Sequence, residues 1–283
     1  MSALLIDGKK IAEQIKLEIK QEALRLKTEK GLTPGLAFIL VGENPASQSY
    51  VKMKGKACEE LEFYSITERL PSDTSEGYLL QLISRFNNDE KLHGILVQLP
   101  LPHHINEEHI ISAIDYRKDV DGFHPVNIGR LVAGQECLKP CTPLGVQELL
   151  LRSGNDPGGK HVVVVGRSNI VGKPVMNILL QKQAGANAVV TITHTGVKDI
   201  SFFTKQADIL IAAIGKPEYV TGKMLKPGTV VIDVGINRVE DSTTKNGYKI
   251  VGDVHFASAS QVASAITPVP GGVGPMTIAD RKS

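Results

Sequence analysis

The chain has 283 residues, 42% hydrophobic and 22% charged, with 32 Lys and Arg balanced against 30 Asp and Glu. A formal charge of +2, with its lysines scattered along helical stretches, leaves no basic stripe for nucleic acid or an anionic membrane, so a small molecule is the expected partner. Three cysteines make neither a disulfide framework nor a zinc knuckle. The opening "ALLI" is too short for a secretory core, and no apolar run approaches the ~20 residues of a membrane span; a cytoplasmic protein with reduced thiols is expected.

The length fits roughly two domains with a cleft between them. Asp7 reads as an N-cap, and Ile11, Ile15, Ile19, Ala23 and Leu26 then recur at helical spacing. "LAFILVG" (36–42), "YSITERL" (64–70) and "GILVQLP" (94–100) read as strands separated by helices over 47–62 and 76–88. Alternation of this kind predicts a mostly parallel sheet. In "KPCTPLGVQELLLRSG", Thr142 is a candidate cap, Pro143 the first helical residue and Gly154 the stop, and a domain boundary is placed near Cys141. The runs at 161–166, 188–194, 208–215 and 229–237 are nearly continuous Val and Ile, as in strands buried on both faces. They predict a doubly wound α/β domain, which by itself argues no function.

The chemistry-bearing candidates follow the same order. Tyr50 and Lys54, four apart on a helix, share one face; nearby lysines and partial burial would lower the amine's pKa and make Lys54 a proton-transfer group, although on spacing alone a solvated lysine-rich face is the preferred reading. Gln98 stands at the carboxyl end of an apolar strand, where open α/β sheets form ligand crevices. Asp119 and Asp121 precede Gly122, a plain turn signature, and spacing does not choose between them. His103, His104 and His109 have no metal-ligand spacing, so no metal is expected.

"GRSNIVGKP" (166–174) follows a strand and opens a helix, where backbone N–H groups and a helix N-terminus hold phosphate. Gly166 permits the turn, Ser168 adds a hydroxyl donor where a glycine is usual, and Gly172 allows close helix packing. The next strand ends "ITHTG", without the carboxylate that commonly takes the ribose of NAD. Arg167 beside such neutral groups favours a 2′-phosphate and therefore NADP. "TPVPGGVGPMT" (267–277) is glycine-rich but follows prolines and no clear strand; it is expected to wrap a ligand at the domain junction.

Taken together, "SQSYVKMK", "GILVQLPLP", "KDVDGFHPVNIGRL", "CTPLGV", "VVVGRSNIVGKP", "VIDVGIN" and "ITPVPGGVGPMT" resemble, in order and over nearly the whole chain, the bifunctional methylenetetrahydrofolate dehydrogenase / methenyltetrahydrofolate cyclohydrolase family. The resemblance implies two α/β domains flanking a cleft: a folate-binding catalytic domain over 1–140, with the C-terminal segment 276–283 packing back on it, and an NADP-binding Rossmann domain over 141–275. It implies a cytoplasmic homodimer formed through the nucleotide domains, acting on tetrahydrofolate one-carbon derivatives that feed purine biosynthesis. The family's chain usually runs on into a longer closing helix where this one reads "DRKS", which bears on the docking of that segment.

The family's roles carry over residue by residue. Lys54 resembles the essential lysine of the hydrolytic step, Gln98 the amide that orients it, and Tyr50 the ring stacked on the folate. Asp121 matches the aspartate on the pterin's amino edge, Val97 and Leu99 flank Gln98 along the substrate, and Pro270, Gly271, Gly272, Val273 and Gly274 match the loop over the folate. Gly166, Arg167, Ser168 and Gly172 match the NADP turn, with Thr195, where a serine is frequent, and Ile236 as further contacts. A monofunctional or NAD-linked dehydrogenase and a non-catalytic NADP-sensing module are the competing readings. Retention of Tyr50, Lys54, Gln98 and Asp121 together argues against the sensor.

Overall fold

The computed structural model describes residues 2–244 and 247–279; the closing "DRKS" (280–283) lies outside the described residues. The chain begins with the short strand β1 (Leu4–Leu5) and helix α1 (Gly8–Lys30). Asp7 caps α1 as its sequence position suggests, its Oδ1 accepting from the amides of Lys9 and Lys10 at 3.0 and 3.1 Å. Ile11, Ile15, Ile19 and Ala23 are the face it buries.

Two compact units share the described chain, one formed by Gln14–Pro140 and the other by the residues up to Glu13 together with those from Cys141 onward. In the first, β2 (Gly35–Val41), α2 (Pro45–Glu60), β3 (Tyr64–Leu70), α3 (Glu76–Asn87), β4 (Gly94–Val97), α4 (Glu107–Ala113) and α5 (Pro125–Val132) follow α1. The strands form a parallel sheet in the order β3-β2-β4. Every residue of β2 is buried because it is the central strand: Ala37, Ile39 and Val41 pack with Leu79, Ile83 and Phe86 of α3, while Leu36, Phe38 and Leu40 pack with Val51 and Cys58 of α2. Helix α2 begins two residues earlier than its apolar spacing suggests. Asn44 Oδ1 accepts from the Ser47 amide at 3.1 Å and Pro45 supplies the first turn, so the start is set by a cap and not by periodicity.

The second unit continues with α6 (Cys141–Arg152), β5 (His161–Val165), α7 (Gly172–Leu180), β6 (Val189–Thr193), α8 (Ser201–Thr204), β7 (Ile209–Ala212), β8 (Val230–Asp233), β9 (Asn237–Glu240), β10 (Tyr248–Val251), α9 (Phe256–Ala259), β11 (Ala265–Ile266) and α10 (Val273–Ala279). Its main sheet is entirely parallel, in the order β1-β11-β8-β7-β5-β6. From β5 the chain goes outward to β6 and then returns past β5 to β7, so the sheet is doubly wound and its winding reverses there. The buried runs Val162–Val165 and Ile209–Ala212 are its centre, the α/β architecture that the Val and Ile runs predict.

Three sequence expectations change. Helix α6 starts at Cys141, so Thr142 is inside it and its hydroxyl pairs with that of Thr277 at 3.0 Å instead of capping. Residues before Gln14 group with the second unit, not with a 1–140 domain, because β1 extends the main sheet by pairing with β11. The described part of the closing segment also belongs there: α10 packs on α6, with Met276 fully buried 2.8 Å from where a Gly145 Cβ would stand. Expected contacts of 280–283 lie outside the described residues.

Candidate active site and nucleotide turn

In the Gln14–Pro140 unit, α2 and the carboxyl end of β4 bring the first candidates together. Lys54 is 7% exposed and its Nζ donates to Gln98 Oε1 at 3.2 Å. Gln98 Nε2 donates in turn to Leu99 O at 2.8 Å, and the Gln98 amide N–H is held by Ile39 O at 2.8 Å. Both ends of the glutamine side chain therefore have fixed partners, and its oxygen is turned to the amine. Tyr50 lies one helical turn before Lys54 and is half-buried, while Val97 is buried and Leu99 partly so. The solvated-face reading is set aside for Lys54, the one lysine of this helix placed inside, whereas Lys52 and Lys56 are exposed. An amine held on a neutral amide oxygen can exchange a proton with a reacting group beside it.

Structure separates the two aspartates that spacing did not. Asp119, 2% exposed, is engaged internally: its Oδ2 accepts from the His124 amide at 2.7 Å and from Asn127 Nδ2 at 3.0 Å. Burial pushes its carboxyl above the usual aspartate range, with those two donors opposing the rise. Asp121 is half-buried, and its carboxylate makes no hydrogen bond among the described residues. It stands two residues past the bridge that pairs Asp119 with Ile95 of β4, on the side of the sheet end where Gln98 lies in sequence.

In the second unit, "GRSNIVGKP" runs from the end of β5 into α7. Gly166 has φ +129°, and a Cβ there would meet Ala213 O at 2.0 Å. A Cβ on Gly172 would meet Gly166 O at 2.1 Å, so only glycine lets α7 start this close to the strand. Ser168 Oγ accepts from the amides of Val171 and Gly172 at 3.2 and 3.4 Å. Its oxygen is thereby used as an acceptor and its proton is free to be donated outward. Arg167 is exposed and forms no ion pair among the described residues. An exposed guanidinium, a hydroxyl proton and a helix N-terminus at one turn suit a phosphorylated anion.

The end of β6 lies beside this turn, the Gly166 amide donating to Thr193 O at 2.8 Å. His194 Nδ1 accepts from the Gly196 amide at 3.0 Å, which folds "THTG" into a turn with Thr195 exposed. The next acid along the chain, Asp199, is occupied at the start of α8, accepting from the Ser201 amide and hydroxyl at 2.8 and 2.6 Å. No carboxylate thus ends β6 to repel a 2′-phosphate.

The glycine-rich 267–277 stretch does follow a strand, the two-residue β11, and opens α10. The sequence expectation missed this because a strand of two residues carries no apolar run. Gly271 has φ +111°, and a Cβ on Gly272 would stand 2.6 Å from Pro268 O. Gly274 brings the loop beside Ile236, whose Cδ1 would be 3.8 Å from a Cβ there. Two buried acids that sequence reasoning gave no role complete this end of the sheet, Asp233 (3% exposed) and Asp253 (0%). An acid closing an apolar strand, as in "VIDVG", and another in "VGDV" were the available signals.

The family model described as the tetrahydrofolate dehydrogenase/cyclohydrolase catalytic domain matches residues 6–121, and that described as its NAD(P)-binding domain matches residues 140–280. The Bifunctional protein FolD of Moorella thermoacetica is 58% identical over 279 residues, covering 99% of this chain and 96% of that protein. The crystal structure of the bifunctional FolD methylenetetrahydrofolate dehydrogenase/cyclohydrolase of Campylobacter jejuni superposes with a TM-score of 0.92 at 49% identity, covering 99% and 96% of the two chains. The Trypanosoma brucei enzyme, solved with NADP cofactor and an inhibitor, gives 0.93 at 40% identity over 99% and 95%.

Proposed function

The chain belongs to the tetrahydrofolate dehydrogenase/cyclohydrolase family, and from that premise we propose how its own residues divide the work of a bifunctional enzyme that oxidises 5,10-methylenetetrahydrofolate with NADP and hydrolyses the methenyl product to 10-formyltetrahydrofolate. The observation that carries the division is the buried Lys54–Gln98 pair at 3.2 Å.

Oxidation needs little acid or base. The bridging carbon lies between two nitrogens whose lone pairs stabilise the cation left behind, so orientation supplies most of the rate. When bound, NADP would supply the hydride acceptor. The glycine cradle at Gly166 and Gly172, the Ser168 proton, the exposed Arg167 and the acid-free end of β6 suit its phosphates, with Arg167 and Thr195 toward the 2′-phosphate and Ile236 at a further contact. Tyr50 stacks on the folate, Asp121 takes the pterin's amino edge through paired hydrogen bonds, Val97 and Leu99 line it beside Gln98, and Pro270 to Gly274 cover it.

Hydrolysis does need proton transfer. Water adds to the methenyl carbon, and the proton it loses is taken up at Lys54 Nζ. The bond from that carbon to one ring nitrogen then breaks as Lys54 Nζ returns its proton to that nitrogen and the hydroxyl on the carbon releases its remaining proton to solvent, leaving the formyl group on the other nitrogen. Gln98 Oε1 holds the amine in line through both changes, because its own Nε2 is anchored on Leu99 O.

The enzyme acts as a cytoplasmic homodimer in one-carbon metabolism that supplies purine biosynthesis, without nucleic acid, metal or membrane partners. The test is one reaction trace with methylenetetrahydrofolate and NADP. NADPH appearing with transient methenyl absorbance supports the reading; absence of NADPH would favour a sensor, and methenyl persisting at its uncatalysed decay would favour a dehydrogenase alone. Size-exclusion with light scattering tests the dimer.

A further inference from the structure

We propose that Asp253, braced by Asp233, is a positioning residue for the nicotinamide half of the cofactor, a role that rests on the NADP reading above. The winding of the sheet reverses at β5, so a dinucleotide whose phosphates sit at the Gly166 turn extends one half toward β6 and the other toward β7 and β8. The β6 side carries Thr195, and the opposite half therefore falls to the loops that leave β7 and β8.

One carboxylate ties those two loops together. Asp253 Oδ2 accepts from the amides of Ile214 and Gly215, just past β7, at 2.6 and 2.9 Å. Its Oδ1 accepts from Asn237 Nδ2 at 2.8 Å, next to Ile236 past β8. The side chain is fully buried and so touches no ligand itself; it acts through the backbone it holds. Asp233, at the end of β8, supports it from behind, with Oδ1 accepting from the amides of Asp253 and Gly235 and Oδ2 from that of Val254, all at 2.9 Å. Space for both acids is made by glycine, since a Cβ on Gly235 would meet Asp253 Oδ1 at 2.3 Å and one on Gly252 would overlap Asp233 Oδ2.

The tethered β7 loop also abuts the phosphate turn, because Ala213 O is the atom that excludes a side chain at Gly166. Moving Ile214 and Gly215 would therefore shift the nicotinamide side relative to the phosphates. A plain packing function would need only an apolar plug. Six donors converging on two buried carboxylates instead over-determine the loop positions, the arrangement a preorganised site requires.

The test compares Asp253→Ala with Asp253→Asn. Alanine releases all three donors. Asparagine keeps an oxygen for Ile214 and Gly215, and its N–H meets Asn237 once that amide turns over. We expect Asp253→Ala to lower dehydrogenase kcat about tenfold or more while KM for NADP and the cyclohydrolase rate, which needs Lys54 and Gln98 but no cofactor, stay near wild type. Asp253→Asn should recover kcat to within about threefold. If Asp253→Ala does not fold, Asn237→Ala carries the test, with a smaller kcat loss and the same sparing of the cyclohydrolase. Unchanged kcat in the variants, a parallel fall of both activities, or no recovery with asparagine would overturn the proposal. A wild-type enzyme that forms no NADPH would overturn the NADP reading, and this proposal with it.

Discussion

Replacing Lys54 with methionine keeps a side chain of similar length in the same buried position and deletes the atom that exchanges the proton. General acid–base groups contribute about 10²- to 10⁴-fold, so cyclohydrolase kcat should fall by that factor, equivalent to about 3 to 5 kcal/mol of barrier. The dehydrogenase step, which depends on orientation, should lose no more than about tenfold. Stability should change little. The variant loses the 3.2 Å bond from Nζ to Gln98 Oε1, worth about 0.5 to 1.5 kcal/mol, but it also removes the cost of burying a polar amine that is 7% exposed. Gln98 stays anchored through Nε2 on Leu99 O, so the substrate wall is not rearranged. The assay follows NADPH and methenyl absorbance together, corrected for uncatalysed decay of the methenyl form. NADPH should appear near its normal rate while methenyl accumulates. Decay of methenyl at the wild-type rate would refute the role of Lys54, and equal loss of both activities would show that the lysine serves binding and not proton transfer.

Arg167→Ala should weaken NADP about 10- to 100-fold by titration and NAD far less, since only the former carries a 2′-phosphate for a charge-assisted bond; equal weakening would show that the arginine merely holds the turn. Asp121→Ala should raise the folate KM more than about tenfold with an unchanged melting temperature, whereas Asp119→Ala, which strands the His124 amide and Asn127 Nδ2, should cost about 1 to 3 kcal/mol of stability. The reverse pattern would exchange their roles. Burial pushes the Asp233 carboxyl up to about 7, above the unfolded value of about 3.9. Its contribution to stability is therefore full below about pH 4 and is lost as pH rises through 7. Urea midpoints of the wild type should fall over that interval relative to Asp233→Asn, and parallel profiles would refute the assignment.

What could be read from the amino-acid order, and what could not, follows from how far along the chain each interaction reaches. The glycine turn was legible because its parts lie within Gly166–Gly172: the two glycines, the serine whose Oγ accepts from the Val171 and Gly172 amides and the arginine between them are neighbours in sequence. Tyr50 and Lys54 were legible as a pair for the same reason, one helical turn apart. The bond from Lys54 to Gln98 spans 44 positions, and only the order of motifs in a family resemblance could suggest it. Spacing alone could not tell Asp119 from Asp121 because the deciding partners, His124 at the cap of the next helix and Asn127 within it, choose by burial. The first strand was missed outright: Leu4 and Leu5 become a strand only because Ala265 and Ile266 offer an edge some 260 residues later. Asp233 and Asp253 belong to the same class. In sequence each is an acid after an apolar run, indistinguishable from a strand's polar end; in the fold each is fully enclosed and supplied with three N–H donors from loops that sequence alone does not bring together. A buried carboxylate is costly unless it is so satisfied, and those donors are the loop ends themselves. The same hydrogen bonds that make burial tolerable thus fix the β7 and β8 loops, which is why the residues least visible in the sequence are the ones that set the geometry of the nucleotide end of the sheet.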